Sequence, residues 1–346
     1  FRKDPEISSV AYTAALRAKV LDSLRGILPA SALTNMGVYG NGRFFDTMIR
    51  KLHCHSLPEL REVARAAHTE LAKVIPSFIR RSDPNHSYGK AFAEFSEKTD
   101  EALTLLVGKH LSSAEGRRSD SPPVRLVGYD PEAPVKVGAA LLFSRSEMSL
   151  ADLRTLCREF SQEEREGLFE GASSFRRNRR HKSPRALEQA EFTFEIMADF
   201  GIYRDLHRHR TLSQERQSLS CNHGYFTPEE ILGTEMEKGY REAMDKAKAT
   251  YREIAGELPE EAQYVVPMAY NMRWYFHINL RALQWLCELR SAPSGHPSYR
   301  YIAQEMARLV SDRFPEFARF FKFVDYEGYE LGRLKQEQRI AERLNK

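Results

Sequence analysis

The chain has 346 residues, 42% of them hydrophobic, including 20 Phe and 15 Tyr, and a formal charge of only +4. That length and composition suit a packed globular protein of one large or two ordinary domains, and the net charge indicates neither general nucleic-acid binding nor a membrane-surface role. The four cysteines, Cys54, Cys157, Cys221 and Cys287, lie far apart without CxxC spacing, which suits a reducing, cytoplasmic setting and argues against a disulfide scaffold or structural zinc.

The chain opens on Phe1 with no signal-like apolar core behind it, so a fragment of a longer polypeptide is expected. No stretch approaches the roughly 18 apolar residues of a membrane span. Two series of residues then repeat. Asn41-Gly42-Arg43, Leu60-Arg61-Glu62-Val63-Ala64 and Ile75-Pro76-Ser77-Phe78 form the first. Asn279-Leu280-Arg281, Tyr299-Arg300-Tyr301-Ile302-Ala303 and Phe314-Pro315-Glu316-Phe317 form the second. A helical stretch closing on proline precedes each, at Ile27-Leu28-Pro29 and Glu257-Leu258-Pro259. The pattern predicts residues 1–110 as the C-terminal half of a first copy, 111–124 as a linker and 125–346 as a complete second copy. Chance likeness between helices carrying Arg and Pro is the alternative.

Within the first copy, Phe92, Phe95 and Ala102 to Leu106 predict a helix; Ser112 to Pro123, with Gly116 and two prolines, reads as exposed linker. An apolar run from Val135 to Phe143 opens the second copy. Ser149 with Asp152, and Ser161 with Glu164, have capping-box spacing and predict two helix starts. Arg176 to Lys182 is the densest basic run; it reads either as a mobile loop near an anionic cofactor or as a solvated loop. Phe192-Thr193-Phe194-Glu195-Ile196 alternates as a half-buried strand should. Ile202, Tyr203 and Leu206 then recur at helical spacing. Thr227-Pro228-Glu229-Glu230 predicts the start of a long helix running to about Ile254. A closing helix from Gln304 to Val310 and a charged tail from Tyr329 end the chain.

After the 202–206 helix comes Arg208-His209-Arg210-Thr211-Leu212-Ser213, continuing to Ser218. Guanidinium forks grip phosphate oxygens in pairs, and hydroxyls add donors for further oxygens or ring carbonyls. His207, His209 and His223 lack a carboxylate-rich third-ligand pattern, so no metal site is expected. No Gly-rich phosphate loop occurs, and Ser218 has no His/Asp arrangement of a hydrolase nucleophile.

Arg208-His209-Arg210-x-x-Ser213-x-x-x-x-Ser218 resembles the RHRxxSxNExSxRY signature of the flavin-dependent thymidylate synthases. His181-Lys182-Ser183-Pro184, Glu188 and Phe192-Thr193-Phe194 resemble that family's GHxSPxEH…FTF segment, with a small insertion. Pro267, Tyr270 to Tyr275, Asn279 to Leu283 and Leu289-Arg290 are similar to its LP…YTRxxWxxNxRSL…LR block. The resemblance covers roughly residues 125–320 and implies an α+β fold, with long helices packed on an antiparallel sheet and much of the site at subunit contacts.

The resemblance implies FAD, NADPH and methylenetetrahydrofolate as cofactors, and reductive methylation at C5 of dUMP or a related pyrimidine nucleotide. It places His181, Ser183, Glu188, Arg208, His209, Arg210, Asn279 and Arg281 at FAD, with Asn41 and Arg43 as the first copy's equivalent pair. Ser144 is a further, weaker flavin candidate. Arg208, Arg210, Arg216, Ser218 and Arg290 fall at the nucleotide. Arg290 is the catalytic candidate, because a fixed cation there would stabilise negative charge on the ring. A homo-oligomer is expected, with a dimer of tandem chains that imitates a tetramer as one arrangement.

This chain also departs from the pattern. Arg216, Ser220 and Cys221 replace the motif's glutamate, arginine and tyrosine; Gln263 replaces an arginine, Asp205 a glutamine and Trp285 a polar flavin contact. Two of these changes remove cations expected at the nucleotide phosphate. Arg216 could compensate if positions 216 and 220 share a helical face. The flavin set is thus better kept than the dUMP set. The alternative is a degenerate copy that shapes a shared site with little catalysis of its own.

Overall fold

A computed structural model describes residues 7–111 and 122–344; residues 112–121 of the expected linker lie outside them, while Leu111 ends a helix and Val124 starts a strand. In chain order the helices are α1 (Ser9–Leu24), α2 (Gly42–His53), α3 (Pro58–Ala72), α4 (Pro76–Ile79), α5 (Ser87–Leu111), α6 (Ala133–Phe143), α7 (Leu150–Glu159) and α8 (Gln162–Ser173). They continue with α9 (Phe200–Leu206), α10 (Met236–Ala255), α11 (Leu280–Arg290), α12 (Pro297–Arg313) and α13 (Leu334–Leu344). Four strands, β1 (Val124–Tyr129), β2 (Glu191–Asp199), β3 (Ser213–Arg216) and β4 (Asn271–Asn279), form an antiparallel sheet in the order β1-β2-β4-β3. The fold is α+β, as expected.

Two compact units divide the chain: residues 1–30, 121–253 and 263–346 form one, and 31–120 with 254–262 the other. In the first, the alternation of β2 is resolved by its register with β4. Phe192 faces Ile278, Phe194 faces Phe276 and Ile196 faces Trp274, and all six side chains are buried. Paired residues share a face of the sheet, so β2 and β4 are apolar on that face, while Gln214 and Arg216 of β3 stand opposite Phe276 and Trp274 at its edge. It joins a core with Val137 and Leu141 of α6, Leu283 and Leu286 of α11, and Ile302, Met306 and Val310 of α12. The opposite face is polar, with Arg273 bonded to Glu195 at 2.8 Å and Thr193 to His277 at 3.0 Å.

Helix starts follow local chemistry. Ser149 caps α7, and Ser161 with Glu164 forms a complete capping box on α8. Two expectations fail. The helix expected from Thr227 begins only at Met236, because Gly233 takes φ +71° and breaks the turn begun at Pro228. Arg216 belongs to strand β3, paired with Trp274, so it shares no helical face with Ser220. Strand pairing, set by a partner nearly sixty residues away in sequence, overrides the local pattern.

The second unit holds α2 to α5, and Ile49, Ala64 and Ile79 form its small core, flanked by Leu52 and Leu71. Asn41 caps α2 by accepting from Phe44 N at 2.9 Å. Asn279 does the same for α11, accepting from Ala282 N at 2.9 Å. Asn41 and Arg43 are both solvent-exposed.

Candidate functional site

The RHR segment begins where α9 ends. Asp199 caps that helix, its carboxylate accepting from Ile202 N at 3.0 Å. His207 closes the other end, stacked on Tyr203 with ring centroids 5.2 Å apart. The next turn carries Arg208 outward, 67% exposed, and draws His209 inward, 8% exposed. Arg210 and Ser218 are exposed, as is Arg216 on the edge strand.

His209 meets the end of α11, where Arg290 Nε donates to His209 Nε2 at 3.1 Å. The contact brings together two residues from separate sequence blocks. Because Arg290 is always a donor, the imidazole accepts through Nε2 and is neutral. Burial, with the neighbouring guanidinium of Arg290 adding to it, lowers the pKa of His209 to about 4. Arg290 also lies 5.5 Å over the ring of Tyr299. Its charge is thus presented beside a neutral, hydrogen-bonding imidazole.

A second group forms where β2 and β4 meet α11. Arg281 donates to the Ser183 carbonyl at 2.9 Å and to Glu188 at 2.8 Å. Ser183 Oγ donates to Gln284 Oε1 at 2.7 Å, and Asn279 caps the helix that carries Arg281 and Gln284. Hydrogen bonds from Arg185 and then Arg281 hold Glu188 below the usual carboxylate range. Ser183, Glu188, Asn279 and Arg281 are therefore assembled, and exposed His181 stands one turn of loop away with its ring beside Asn178 at 2.9 Å. Ser144 ends α6 as its C-cap, and Trp285 is 41% exposed.

The basic run has a buried anchor that its composition concealed. Arg176 forms a bidentate pair with Glu288 at 2.5 Å for both contacts, and the two side chains are 8% and 0% exposed. Arg176 also donates to the carbonyls of His181 and Arg179. The loop is thus tied to α11, with Arg177, Arg180 and Lys182 turned to solvent.

A cavity of about 1170 Å³ lies beyond α9, lined among others by Lys19, Asp199, Tyr225, His296 and Arg300. None of the expected site residues lines it. Sequence reasoning missed this space because it depends on α1, which contributes Ala15, Lys19, Asp22 and Ser23. Among the described residues no cluster of three or more His, Cys, Asp or Glu side chains is placed to hold a metal ion. No helix among them is long and apolar enough to cross a membrane.

The family described as thymidylate synthase complementing protein matches residues 125–316. This chain belongs to that family. The match contains both side-chain groups just described, from His181 through Arg290. The chain is also similar to UPF0159 proteins of Chlamydia pneumoniae and Chlamydia muridarum, at 53% and 52% identity over 339 residues. In each case 98% of this chain and 64% of the relative are aligned. A UPF0159 protein of Thermoplasma acidophilum is 33% identical over 343 residues, with 96% of this chain and 65% of that relative aligned. The chain thus spans just under two-thirds of the length of these relatives.

Three buried ionisable groups beside the site give a pH signature. Burial lowers His209 and His296 from 6.5 to about 4. Each favours the fold fully above pH 6.5, and that contribution is lost as pH falls toward 4. Burial raises Asp199 from 3.8 to about 6, so its ionisation opposes the fold as pH rises through that interval. Asn can keep the cap without the buried charge. Asp199→Asn is therefore expected to stabilise the protein by up to about 3 kcal/mol at pH 8 and much less at pH 4. Urea denaturation at the two pH values checks this; an equal effect at both would remove the charge argument.

Proposed function

We propose that the chain carries a flavin-dependent, thymidylate-synthase-type site that methylates dUMP or a related pyrimidine nucleotide at C5. The observation that carries the reading is the Arg290–His209 contact at 3.1 Å, a fixed cation next to a neutral donor–acceptor ring. Such a pair can hold a uracil-like edge and stabilise negative charge that develops on it. Methylenetetrahydrofolate would supply the carbon and NADPH the hydride.

FAD fits the residues present. Arg281 is pre-set by two acceptors, Ser183 O and Glu188; Arg208, Arg210 and His181 add outward-facing donors. That donor set suits a dinucleotide with a pyrophosphate bridge. When bound, the flavin would supply the redox chemistry. The chain's own residues would bind and align it through His181, Ser183, Glu188, Asn279 and Arg281. Asn41 and Arg43 would serve a second, equivalent flavin position.

Arg281→Ala is expected to weaken FAD binding about tenfold or more, the cost of charged hydrogen bonds worth about 1.5–3 kcal/mol each. Flavin fluorescence titration checks this. Undiminished affinity would remove Arg281 from the flavin site.

Residues 1–110 as a partial first copy and 125–346 as a complete one remain our reading of the domain plan. With it goes a dimer of tandem chains in the cytoplasm. Light scattering that returns a stable monomer would contradict the dimer. A second reading, a site-sharing copy with little turnover, is favoured by one observation. Gln263, which stands in place of an expected cation, accepts from Leu219 N at 2.9 Å and so braces the motif.

A further inference from the structure

The cavity of about 1170 Å³ beyond α9 takes no part in the nucleotide reading, yet three groups on its wall are buried and short of partners. Asp199 is 7% exposed; its Oδ1 accepts from Ile202 N at 3.0 Å, and no side chain among the described residues donates to it. His296 is 9% exposed and caps α12, its Nδ1 accepting from Ser298 N at 3.3 Å. Burial lowers its pKa to about 4, so the ring is neutral and its proton sits on Nε2. No acceptor among the described residues meets that N–H. Arg300 follows one turn along the same face of α12 and is 5% exposed. Its Nε and one terminal nitrogen donate to Ser291 O, Asp325 and Glu327 O; the other terminal nitrogen has no partner among the described residues. Helices α9 and α12 pack together, which brings the three groups to one cavity.

The buried inventory is thus one accepting carboxylate and two donors, a guanidinium nitrogen and an imidazole N–H. Buried polar groups without partners are costly, and a ligand that pairs them recovers that cost. An α-amino acid matches the set, with its ammonium for Asp199 and its carboxylate for Arg300 and His296. The mouth selects the side chain. Six carboxylates and three cations line the cavity, so it carries surplus negative charge. Lys19 pairs with Glu230, Arg333 with Asp22 and Arg300 with Asp325. Glu229, Glu327 and Glu330 are exposed and form no ion pair among the described residues. Phe226 and Tyr301 add aromatic wall against which a methylene chain can lie.

We propose that this cavity binds a free α-amino acid with a cationic side chain, of the arginine or lysine kind. The proposal stands independently of the flavin and nucleotide reading.

The test is calorimetric titration of the intact chain with L-arginine, with agmatine, which lacks the carboxylate, and with L-norleucine, which lacks the side-chain charge. L-arginine is expected to bind, with agmatine and L-norleucine each weaker by about tenfold or more. Asp199→Asn and His296→Asn keep their helix caps, since asparagine caps well, and each is expected to weaken L-arginine by about tenfold or more. Circular dichroism confirms that both variants are folded. Absence of L-arginine binding to the unaltered chain overturns the proposal, as does unchanged affinity in either variant. Agmatine binding as tightly as L-arginine overturns the amino-acid assignment, and L-norleucine doing so overturns the cationic side chain.

Discussion

Arg290→Ala is expected to abolish turnover while sparing flavin binding. Arg290 closes α11, and no hydrogen bond among the described residues joins it to the cluster around Arg281. Its partners are His209 and the Tyr299 ring. Removing a positioned charge donor of this kind lowers kcat by about a hundredfold to a thousandfold where charge develops in the transition state. Asn279 and Arg281, proposed above for the flavin and about two and a half to three helical turns back along α11, would keep their contacts. Arg290→Lys keeps the charge but loses the planar fork, so partial activity is expected. Steady-state kinetics together with a flavin titration separate the two effects. Unchanged kcat in Arg290→Ala would remove this residue from the mechanism.

The largest stability effect is expected at Arg176–Glu288. Both side chains are buried, bidentate and far apart in sequence. Glu288 also accepts from Phe323 N at 3.2 Å, and Arg176 lies 5.0 Å over the Phe323 ring. Removing one partner leaves the other charged and desolvated, which costs about 3–5 kcal/mol. Glu288→Ala should therefore lower the chemical-denaturation midpoint sharply and loosen the loop from 177 to 182. A joint Arg176→Met, Glu288→Leu replacement is expected to recover much of that loss, since no unpaired charge then remains. A small effect of Glu288→Ala alone would mean that the pair is solvated in solution.

Much of the scaffold was legible in local sequence. Phe192 to Ile196 alternates because one face of β2 meets helices and the other turns Thr193 and Glu195 toward His277 and Arg273 of β4. Ser149 and Ser161 announce helix starts because cap chemistry acts within three residues. The motif blocks led to the family, which the match over residues 125–316 bears out. What stayed hidden depends on distant partners. Ser213 to Arg216 is a strand only because β4 lies beside it. Arg176 read as part of a mobile or solvated basic loop, because Glu288, its buried partner, lies in another block. Gly233 gives the delayed start of α10 through a backbone angle that its neighbours' helical pattern conceals.

The most direct measurement is the visible absorption spectrum of the purified protein, taken before and after addition of FAD and then of dUMP. The account predicts a bound-flavin spectrum that shifts when dUMP is added, as a nucleotide approaches the flavin beside Arg290 and His209. A protein that retains no flavin after added FAD is removed by gel filtration would contradict it, and would leave the site-sharing reading in its place.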